Sequence, residues 1–348
     1  MTRAQVITLT VTCESYPLKE PFNITGHRMT ATDVVVVNLQ SGGHSSRGEA
    51  AGVFYLENND PPGMLQQIEA VRPQIEAGID RGALQRLLPA GGARNALDCA
   101  LWDLEAKMTG APAWRIAGLE SPRPLLTTFT VSANAPDKMA ADARDYTDAK
   151  ALKLKLTGQP IDADRVRAVR AAAPAAWIGV DANQGFTRAS LEALLPVLID
   201  NRVQLIEQPF RIGQDRELAG LRSPIPIAAD ESVQQLVDIP SLIGRYDVIN
   251  IKLDKCGGLT EGLTMAREAR RLGLAVMVGN MLGTSLAMAP AFVLGQLCDV
   301  VDLDGPIFLT EDRTPSVRYS QGMICAPAAL WGHPVTERVS AGIILGID

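Results

Sequence analysis

Eight short apolar segments recur through the later two-thirds of the chain, and each is followed by a stretch with helical character. Their spacing is roughly 25 residues, the length of one strand–helix unit. Eight such units in succession predict a (β/α)8-type barrel. The alternative is an open doubly wound sheet, but no glycine-rich phosphate loop follows a strand. The predicted strands are 125–131, 151–156, 177–181, 204–208, 225–229, 248–253, 275–278 and 300–303.

The residues before this repeat have a different organisation. Alternating apolar residues at 6–11 and 33–39 predict two β-strands, joined by an exposed loop at 23–28. An apolar stripe at 93–104 predicts an amphipathic helix that ends at Gly110. Strands followed by helices, without alternation, indicate a separate α+β domain. The irregular C-terminal tail is expected to pack back on this first domain.

Composition excludes several classes of function. The 348 residues carry a net charge of −6, so the chain offers no basic face for nucleic acid. Five scattered cysteines without metal-ligand spacing indicate a reduced protein, and we expect a cytoplasmic location. The N-terminus has no long apolar core and is not read as a signal peptide. No apolar run approaches transmembrane length, so no membrane partner is expected.

Charged residues stand at the carboxyl ends of the predicted strands, where barrel proteins place their sites. In the second strand, Lys153 and Lys155 alternate with leucines, so both ammonium groups point to one face. Lysines are rarely buried without an anionic partner. A solvated edge strand is the alternative explanation for this pattern.

Three acids end consecutive strands: Asp181, Glu207 and Asp230. Converging carboxylates repel one another unless a hard cation neutralises them, and oxygen ligands with open positions suit Mg²⁺. Unrelated helix N-caps after each strand are the alternative. The sequence therefore predicts a magnesium site at this end of the barrel.

Lys252 ends the sixth strand, across a barrel from the second strand and Lys155. The two lysines would approach the central metal from opposite sides. Nearby cations should lower their pKa values, which would make each a usable base near neutral pH. A base on each face of one carbon, beside a metal that holds an enolate, describes racemisation by proton transfer.

These motifs resemble the enolase superfamily, in particular its muconate-lactonising subgroup, and the resemblance covers nearly the whole chain. It rests on one helix of the first domain and five strand-end motifs: 96–104, Lys153-x-Lys155, Asp181-x-Asn183, Glu207-Gln-Pro, Asp230-Glu231-Ser and Asn250-Ile-Lys252 followed by Gly257-Gly258.

The resemblance implies a modified TIM barrel, (β/α)7β, at residues 119–316. It also implies an α+β capping domain at 1–118, joined by the tail 317–348. By similarity, the Mg²⁺ ligands are the three acids above and the acid/base pair is Lys155 and Lys252. Lys153 would bind a substrate carboxylate and lower the pKa of Lys155. We also expect a homo-oligomer.

Asp302 and Asp304, at the end of the eighth strand, resemble the pair that holds the α-ammonium of the substrate in dipeptide epimerases. Two additional acids would repel an anionic substrate that lacked a cation of its own. A strand-end turn before Gly305-Pro306 is the structural alternative. The runs 246–261 and 302–306 are most similar to bacterial L-Ala-D/L-Glu epimerases, which makes L-Ala-L-Glu and L-Ala-D-Glu the expected substrates.

Two further residues are assigned to substrate binding by this resemblance. Arg28 would meet a distal carboxylate, such as that of a glutamate side chain, although a solvated loop arginine explains it equally well. Thr130 would lie beside the substrate at the end of the first strand. The alternatives are another reaction of the subgroup, namely N-acylamino acid racemisation, succinylbenzoate-type dehydration or cycloisomerisation, and a catalytically silent binding barrel.

Overall fold

In a computed structural model, described over residues 6–334, the chain begins with an antiparallel sheet. Its strands lie in the order β1, β2, β3, and a helical layer packs against them through an apolar core. The long helix α3 begins at Gly92 and ends at Thr109, and it is capped by Gly110 in a left-handed conformation with φ 69°. The elements are β1 (Thr8–Ile24), β2 (His27–Ser41), β3 (His44–Ala51), α1 (Pro61–Glu76), α2 (Arg81–Leu87), α3 (Gly92–Thr109) and α4 (Ala113–Ile116).

Eight parallel strands follow in sequential order, from β5 to β12. They are β5 (Phe129–Val131), β6 (Ala151–Lys155), β7 (Trp177–Asp181), β8 (Leu205–Glu207), β9 (Ile227–Ala229), β10 (Val248–Lys252), β11 (Ala275–Gly279) and β12 (Val300–Val301). The connecting helices are α5 (Pro136–Asp145), α6 (Asp162–Ala172), α7 (Arg188–Asp200), α8 (Ile239–Leu242), α9 (Leu253–Cys256), α10 (Leu259–Arg271) and α11 (Ser285–Gly295), with 3₁₀ turns at Asp215–Leu218, Leu236–Asp238 and Gly305–Phe308.

The first and last barrel strands meet. The backbone N–H of Thr128, just before β5, donates to the carbonyl of Val301 in β12 at 3.0 Å. After β12 the described chain has a 3₁₀ turn in place of a full helix, as in a (β/α)7β arrangement. The predicted fold class is therefore confirmed, and the open doubly wound sheet is wrong.

The two-residue period of the strands sorts side chains between the barrel interior and the helix layer. Leu152, Leu154 and Leu156 belong to the large apolar core under the helices. The interior faces of the other strands form a separate apolar floor of Trp177, Leu205, Ala228, Val248 and Met277, among others. On five of these strands, charged or polar residues follow on the same face, so the polar site lies above this floor. They are Asp181, Glu207, Asp230, Asn250 with Lys252, and Asp302 with Asp304.

Three local predictions need correction. The predicted strand 125–131 is two elements, because a separate strand β4 (Leu125–Leu126) pairs with β14 (Met323–Cys325), which pairs in turn with β13 (Arg318–Ser320). The strand predicted at 300–303 ends at Val301, because the following residues turn into the site. The predicted loop 23–28 is instead the end of the β1–β2 hairpin, in which Asn23 pairs with Arg28.

The C-terminal segment contacts α3 at its described end. The indole N–H of Trp331 donates to the carbonyl of Cys99 at 3.0 Å, and the backbone N–H of Gly332 donates to Asp103 at 2.8 Å. Residues 1–5 and 335–348 of the predicted capping domain lie outside the described residues, and the predicted domain boundaries stay predictions. Among the described helices, none has the length and apolarity that a membrane crossing requires.

Candidate active site

Three carboxylates form a buried cluster at the carboxyl ends of neighbouring strands. Asp181 ends β7, Glu207 ends β8, and Asp230 follows β9 by one residue. Ligand oxygens of the three side chains lie within 4.8 Å of one another. Burial and the charge of Asp181 raise the pKa of Glu207 to about 8. The predicted convergence of the acids is observed, and their mutual repulsion calls for a counter-ion.

The donor set fits a hard divalent cation. Oε1 of Glu207 accepts a hydrogen bond from Nδ2 of Asn250 at 2.7 Å, whereas the buried Oε2 has no hydrogen-bond partner among the described residues. Leaving a buried carboxylate oxygen without a donor is costly. A cation among three carboxylates would satisfy this oxygen, and all-oxygen ligation is what Mg²⁺ prefers.

Two lysines hold Asp230. Nζ of Lys252 lies 2.7 Å from Oδ2, and Nζ of Lys255 lies 2.5 Å from Oδ1. Against the opposing effect of burial, these two cations keep the pKa of Asp230 well below its usual range. Sequence reasoning gave Lys255 no role. The sequence did offer one signal for such a role, because Lys255 follows Lys252 by only three residues, less than one helical turn.

Gln208 fixes the loop that carries Asp230. Its side-chain oxygen accepts from the backbone N–H groups of Asp230 and Ser232, at 2.9 and 3.0 Å. The residue adopts φ 34°, a left-handed conformation that side chains rarely tolerate. This strained turn follows Glu207 directly, so Gln208 sets the relative position of two cluster acids.

Lys155 and Lys252 flank the cluster from opposite sides. Their strands, β6 and β10, are the second and sixth of the eight sequential strands, so they face each other across the barrel. Nζ of Lys155 lies 2.6 Å from Oδ2 of Asp181 and 3.1 Å from Oδ1 of Asn183. Both lysines are buried and line the same cavity.

The expected lowering of the lysine pKa values is not observed for Lys252. Burial disfavours its charged form, but Asp230, Glu207 and Glu231 outweigh burial and raise its pKa. Lys153 behaves in the same way, with Asp302 as the main opposing charge. Carboxylates rather than cations thus dominate the surroundings of these two lysines.

Asp302 and Asp304 enter the cavity from the end of β12. Asp302 forms a salt bridge with Lys153 and accepts a hydrogen bond from the Thr128 hydroxyl. Oδ2 of Asp304 accepts from the backbone N–H of Thr130 at 2.7 Å. Burial and the charge of Asp302 raise the pKa of Asp304 to about 6. The pair lies opposite the acidic cluster, and Lys153 stands between the two sets of acids, 3.7 Å from Glu207.

Segments of the N-terminal domain close the mouth of the cavity. The β1–β2 hairpin and the segment 52–60 contribute mainly apolar side chains, and the hairpin is held to the barrel by the Thr25 hydroxyl, which donates to the carbonyls of Leu156 and Ala182. His27, at the hairpin end, packs on Phe54 of the second segment, with ring centroids 4.0 Å apart.

All the predicted site residues except Arg28 lie in or against this cavity. Arg28 is exposed, while its neighbour Met29 lines the cavity. In an antiparallel hairpin, adjacent residues point to opposite faces, so Arg28 and Met29 cannot both face inward in this register. The cavity wall also includes Tyr55, which no sequence pattern indicated.

The fold and the site together define a two-domain barrel protein with a buried carboxylate metal centre between two lysines. Residues 6–118 match the mandelate racemase / muconate lactonizing enzyme N-terminal domain family, and residues 138–332 match the enolase C-terminal domain-like family. The chain therefore belongs to the enolase superfamily.

Several characterised proteins are similar over most of the chain. An L-Ala-D/L-Glu epimerase of Escherichia coli is 40% identical over 311 residues, covering 89% of this chain and 96% of the relative. An N-acetyl-D-glutamate racemase of a Pseudoalteromonas species is 42% identical over 255 residues, covering 73% of this chain and 80% of the relative.

A solved structure is similar to this chain in fold. An enolase family member from Agrobacterium tumefaciens, described as homologous to dipeptide epimerases, was crystallised with sodium and L-Ala-L-Glu. It superposes with a TM-score of 0.90 at 43% identity, and the match covers 94% of this chain and 100% of that one.

Proposed function

We propose that this protein is a Mg²⁺-dependent dipeptide epimerase that inverts the α-carbon of the C-terminal residue. The observation that carries the proposal is the placement of Lys155 and Lys252 on opposite strands, on either side of three carboxylates. A lone base could remove a proton but would return it to the same face. Two facing bases allow removal on one face and return on the other.

Asp181, Glu207 and Asp230 would hold the cation, which, when bound, stabilises the negative charge that develops on the substrate carboxylate as the α-proton leaves. The cation would also offset the carboxylates that raise the pKa of Lys252. Lys153 faces the space between this cluster and Asp302, where it can donate to the same substrate carboxylate. One lysine then takes the α-proton, and the other donates a proton to the opposite face.

Asp302 and Asp304 support a substrate with a free ammonium group. Both are buried, and Asp302 pairs with Lys153. A substrate that bound its carboxylate to Lys153 would draw this lysine away from Asp302. The ammonium group of the substrate could then replace the Lys153 ammonium group beside the two acids. This exchange favours a zwitterionic dipeptide over an N-acylated amino acid.

L-Ala-L-Glu and L-Ala-D-Glu are the proposed substrates, on the strength of the two relatives named for or crystallised with this dipeptide. The cavity wall is mostly apolar, and Arg28 is exposed. We propose that Arg28 meets the glutamate side chain when substrate is bound. Replacing Arg28 by Met should then lower turnover of L-Ala-L-Glu but not of L-Ala-L-Leu, and equal effects on both would remove Arg28 from the site.

N-acylamino acid racemisation is the second candidate, favoured by the 42% identity to an N-acetyl-D-glutamate racemase. A substrate panel separates the two proposals. L-Ala-L-Glu, L-Ala-L-Leu and N-acetyl-L-glutamate would be incubated with the Mg²⁺-loaded protein, and inversion followed by polarimetry. We expect inversion of the dipeptides. Inversion of N-acetylglutamate at a higher kcat/KM than either dipeptide would establish the second candidate instead.

A further inference from the structure

The phenol of Tyr55 reaches the cavity from the N-terminal domain. Its ring is partly exposed, but its hydroxyl is fully buried and has no hydrogen-bond partner among the described residues. Most buried polar atoms in proteins are paired, because an unpaired one costs about 1–3 kcal/mol. An unpaired, buried hydroxyl on a residue that lines a cavity therefore indicates a donor whose acceptor arrives with a ligand.

The surroundings of the hydroxyl identify the end of the cavity to which it points. Burial raises the pKa of Tyr55 well above its usual value, and the charges that add to this effect are, in order, Asp230, Glu231, Glu207 and Asp181. Tyr55 lines the same cavity wall as Lys155, Lys252 and Glu231, beside the carboxylate cluster. A phenol with an ordinary pKa of about 10 is protonated at neutral pH, so this hydroxyl is available as a donor.

The segment that carries Tyr55 is held in place by contacts to the N-terminal domain. The backbone N–H of Val53 donates to the carbonyl of Asn59 at 3.0 Å, and Oδ1 of Asn59 accepts from the backbone N–H of Gly92 at 2.8 Å, where α3 begins. Phe54 packs edge-to-face on Tyr55, with ring centroids 5.1 Å apart. The phenol is therefore fixed before any ligand binds, which limits the entropy cost of using it.

We propose that Tyr55 is a substrate-binding residue whose hydroxyl donates a hydrogen bond to the α-carboxylate of the substrate. This inference rests on the proposed function, in which that carboxylate lies at the acidic cluster beside Lys153. It completes the set of donors around the carboxylate with one from the N-terminal domain. Because negative charge grows on this carboxylate as the α-proton leaves, the bond should strengthen in the transition state.

The test is Tyr55→Phe, which removes only the hydroxyl, with Tyr16→Phe as the matched control. The Tyr16 hydroxyl donates to Glu14 at 2.8 Å on β1, outside the cavity. For both variants and the wild type, kcat and KM would be measured with L-Ala-L-Glu and with L-Ala-L-Gln. Mg²⁺ affinity would be measured by calorimetry, and the unfolding temperature by circular dichroism.

We expect Tyr55→Phe to lower kcat/KM at least tenfold, by the same factor for both dipeptides, with Mg²⁺ affinity and unfolding temperature unchanged. Tyr16→Phe should match the wild type. A loss confined to L-Ala-L-Glu would place the hydroxyl at the side-chain carboxylate and overturn the assignment, as would no loss. Wild-type turnover with an unaffected Tyr55→Phe variant would overturn this inference alone, whereas absence of wild-type turnover would overturn the proposed function as well.

Discussion

Nζ of Lys255 lies 2.5 Å from Oδ1 of Asp230, and this lysine is only 1% exposed. Lys255 also donates to the main-chain carbonyls of Asp230 and Asn250, so it ties the acid to the end of β10. The other oxygen of the carboxylate, Oδ2, is bonded to Lys252 at 2.7 Å, so each oxygen of Asp230 has a lysine partner. Lys255 thus fixes the position of Asp230 beside the other two acids of the cluster.

Replacing Lys255 by Met should weaken Mg²⁺ binding about 10- to 100-fold, the usual effect of removing a group that orients a metal ligand. Titration calorimetry of Mg²⁺ would measure the change. Lys138→Met is the control, because Lys138, on α5, forms only partly exposed ion pairs, with Glu20 of β1 and Asp142 of α5. Equal Mg²⁺ affinity in Lys255→Met and wild type would show that Asp230 is positioned without Lys255.

Removal of metal should abolish epimerisation, and added Mg²⁺ should restore it. The three carboxylates supply no positive charge of their own, so they cannot stabilise an anionic intermediate without a cation. Glu207→Gln should also lose activity while its far-ultraviolet circular dichroism stays that of the wild type. Full turnover in metal-stripped protein, or in Glu207→Gln, would contradict the metal site.

Asp304→Asn should weaken use of dipeptides by roughly 2–5 kcal/mol, the cost of leaving a desolvated charge unpaired. It is a cleaner test than Asp302→Asn, because Asp302 also pairs with Lys153. N-acetylation of the dipeptide should lower the kcat/KM of the wild type more than that of the variant. Both substrate forms would be compared by kcat/KM, and equal use by the wild type would exclude ammonium binding.

Asp254 makes stability depend on pH. Its Oδ1 accepts from the backbone N–H of Ala51 at 2.9 Å and from Nδ2 of Asn95 at 3.0 Å. Burial raises its pKa to about 7, so between the unfolded value near 4 and pH 7 the folded state binds more protons. Its contribution to the free energy of unfolding therefore falls as pH rises through this range.

Asp254→Asn removes this titration and keeps an acceptor oxygen for both donors. Relative to wild type, the variant should gain stability on the order of 4 kcal/mol between pH 4 and pH 8. Urea unfolding of both proteins at each pH would measure the difference. A constant difference across this range would mean that Asp254 titrates normally in the folded protein.

Parts of the site could be predicted because they follow from strand periodicity alone. Once Lys153 and Lys155 are assigned to an inward face, and Asp181 and Lys252 to the carboxyl ends of strands, a closed barrel brings them together. That prediction did not require knowing which individual side chains contact each other between segments far apart in the sequence.

The remaining features depend on packing that sequence does not encode locally. The exposure of Arg28 follows from the register of the β1–β2 hairpin, and one residue of slip would have exchanged it with Met29. Tyr55 lines the cavity only because the segment 52–60, far from the barrel strands in sequence, packs over the site. The salt bridge between Lys153 and Asp302 joins residues 149 positions apart, so only the closed barrel shows it.

The proposed epimerisation requires two bases that face each other across one carbon. Changing Lys155 or Lys252 to Ala should stop net epimerisation, because the proton has no donor on the opposite face. Each single variant should still exchange the α-proton of one substrate epimer with solvent, without inversion, through the lysine that remains. The two variants should therefore act on opposite epimers.

The most direct test is proton NMR of α-proton exchange in heavy water, with L-Ala-L-Glu and L-Ala-D-Glu each incubated with each variant. We expect loss of the α-proton signal from one epimer with Lys155→Ala and from the other epimer with Lys252→Ala, with no inversion in either case. Exchange of the same epimer by both variants, or inversion by either at close to the wild-type rate, would contradict the two-base arrangement.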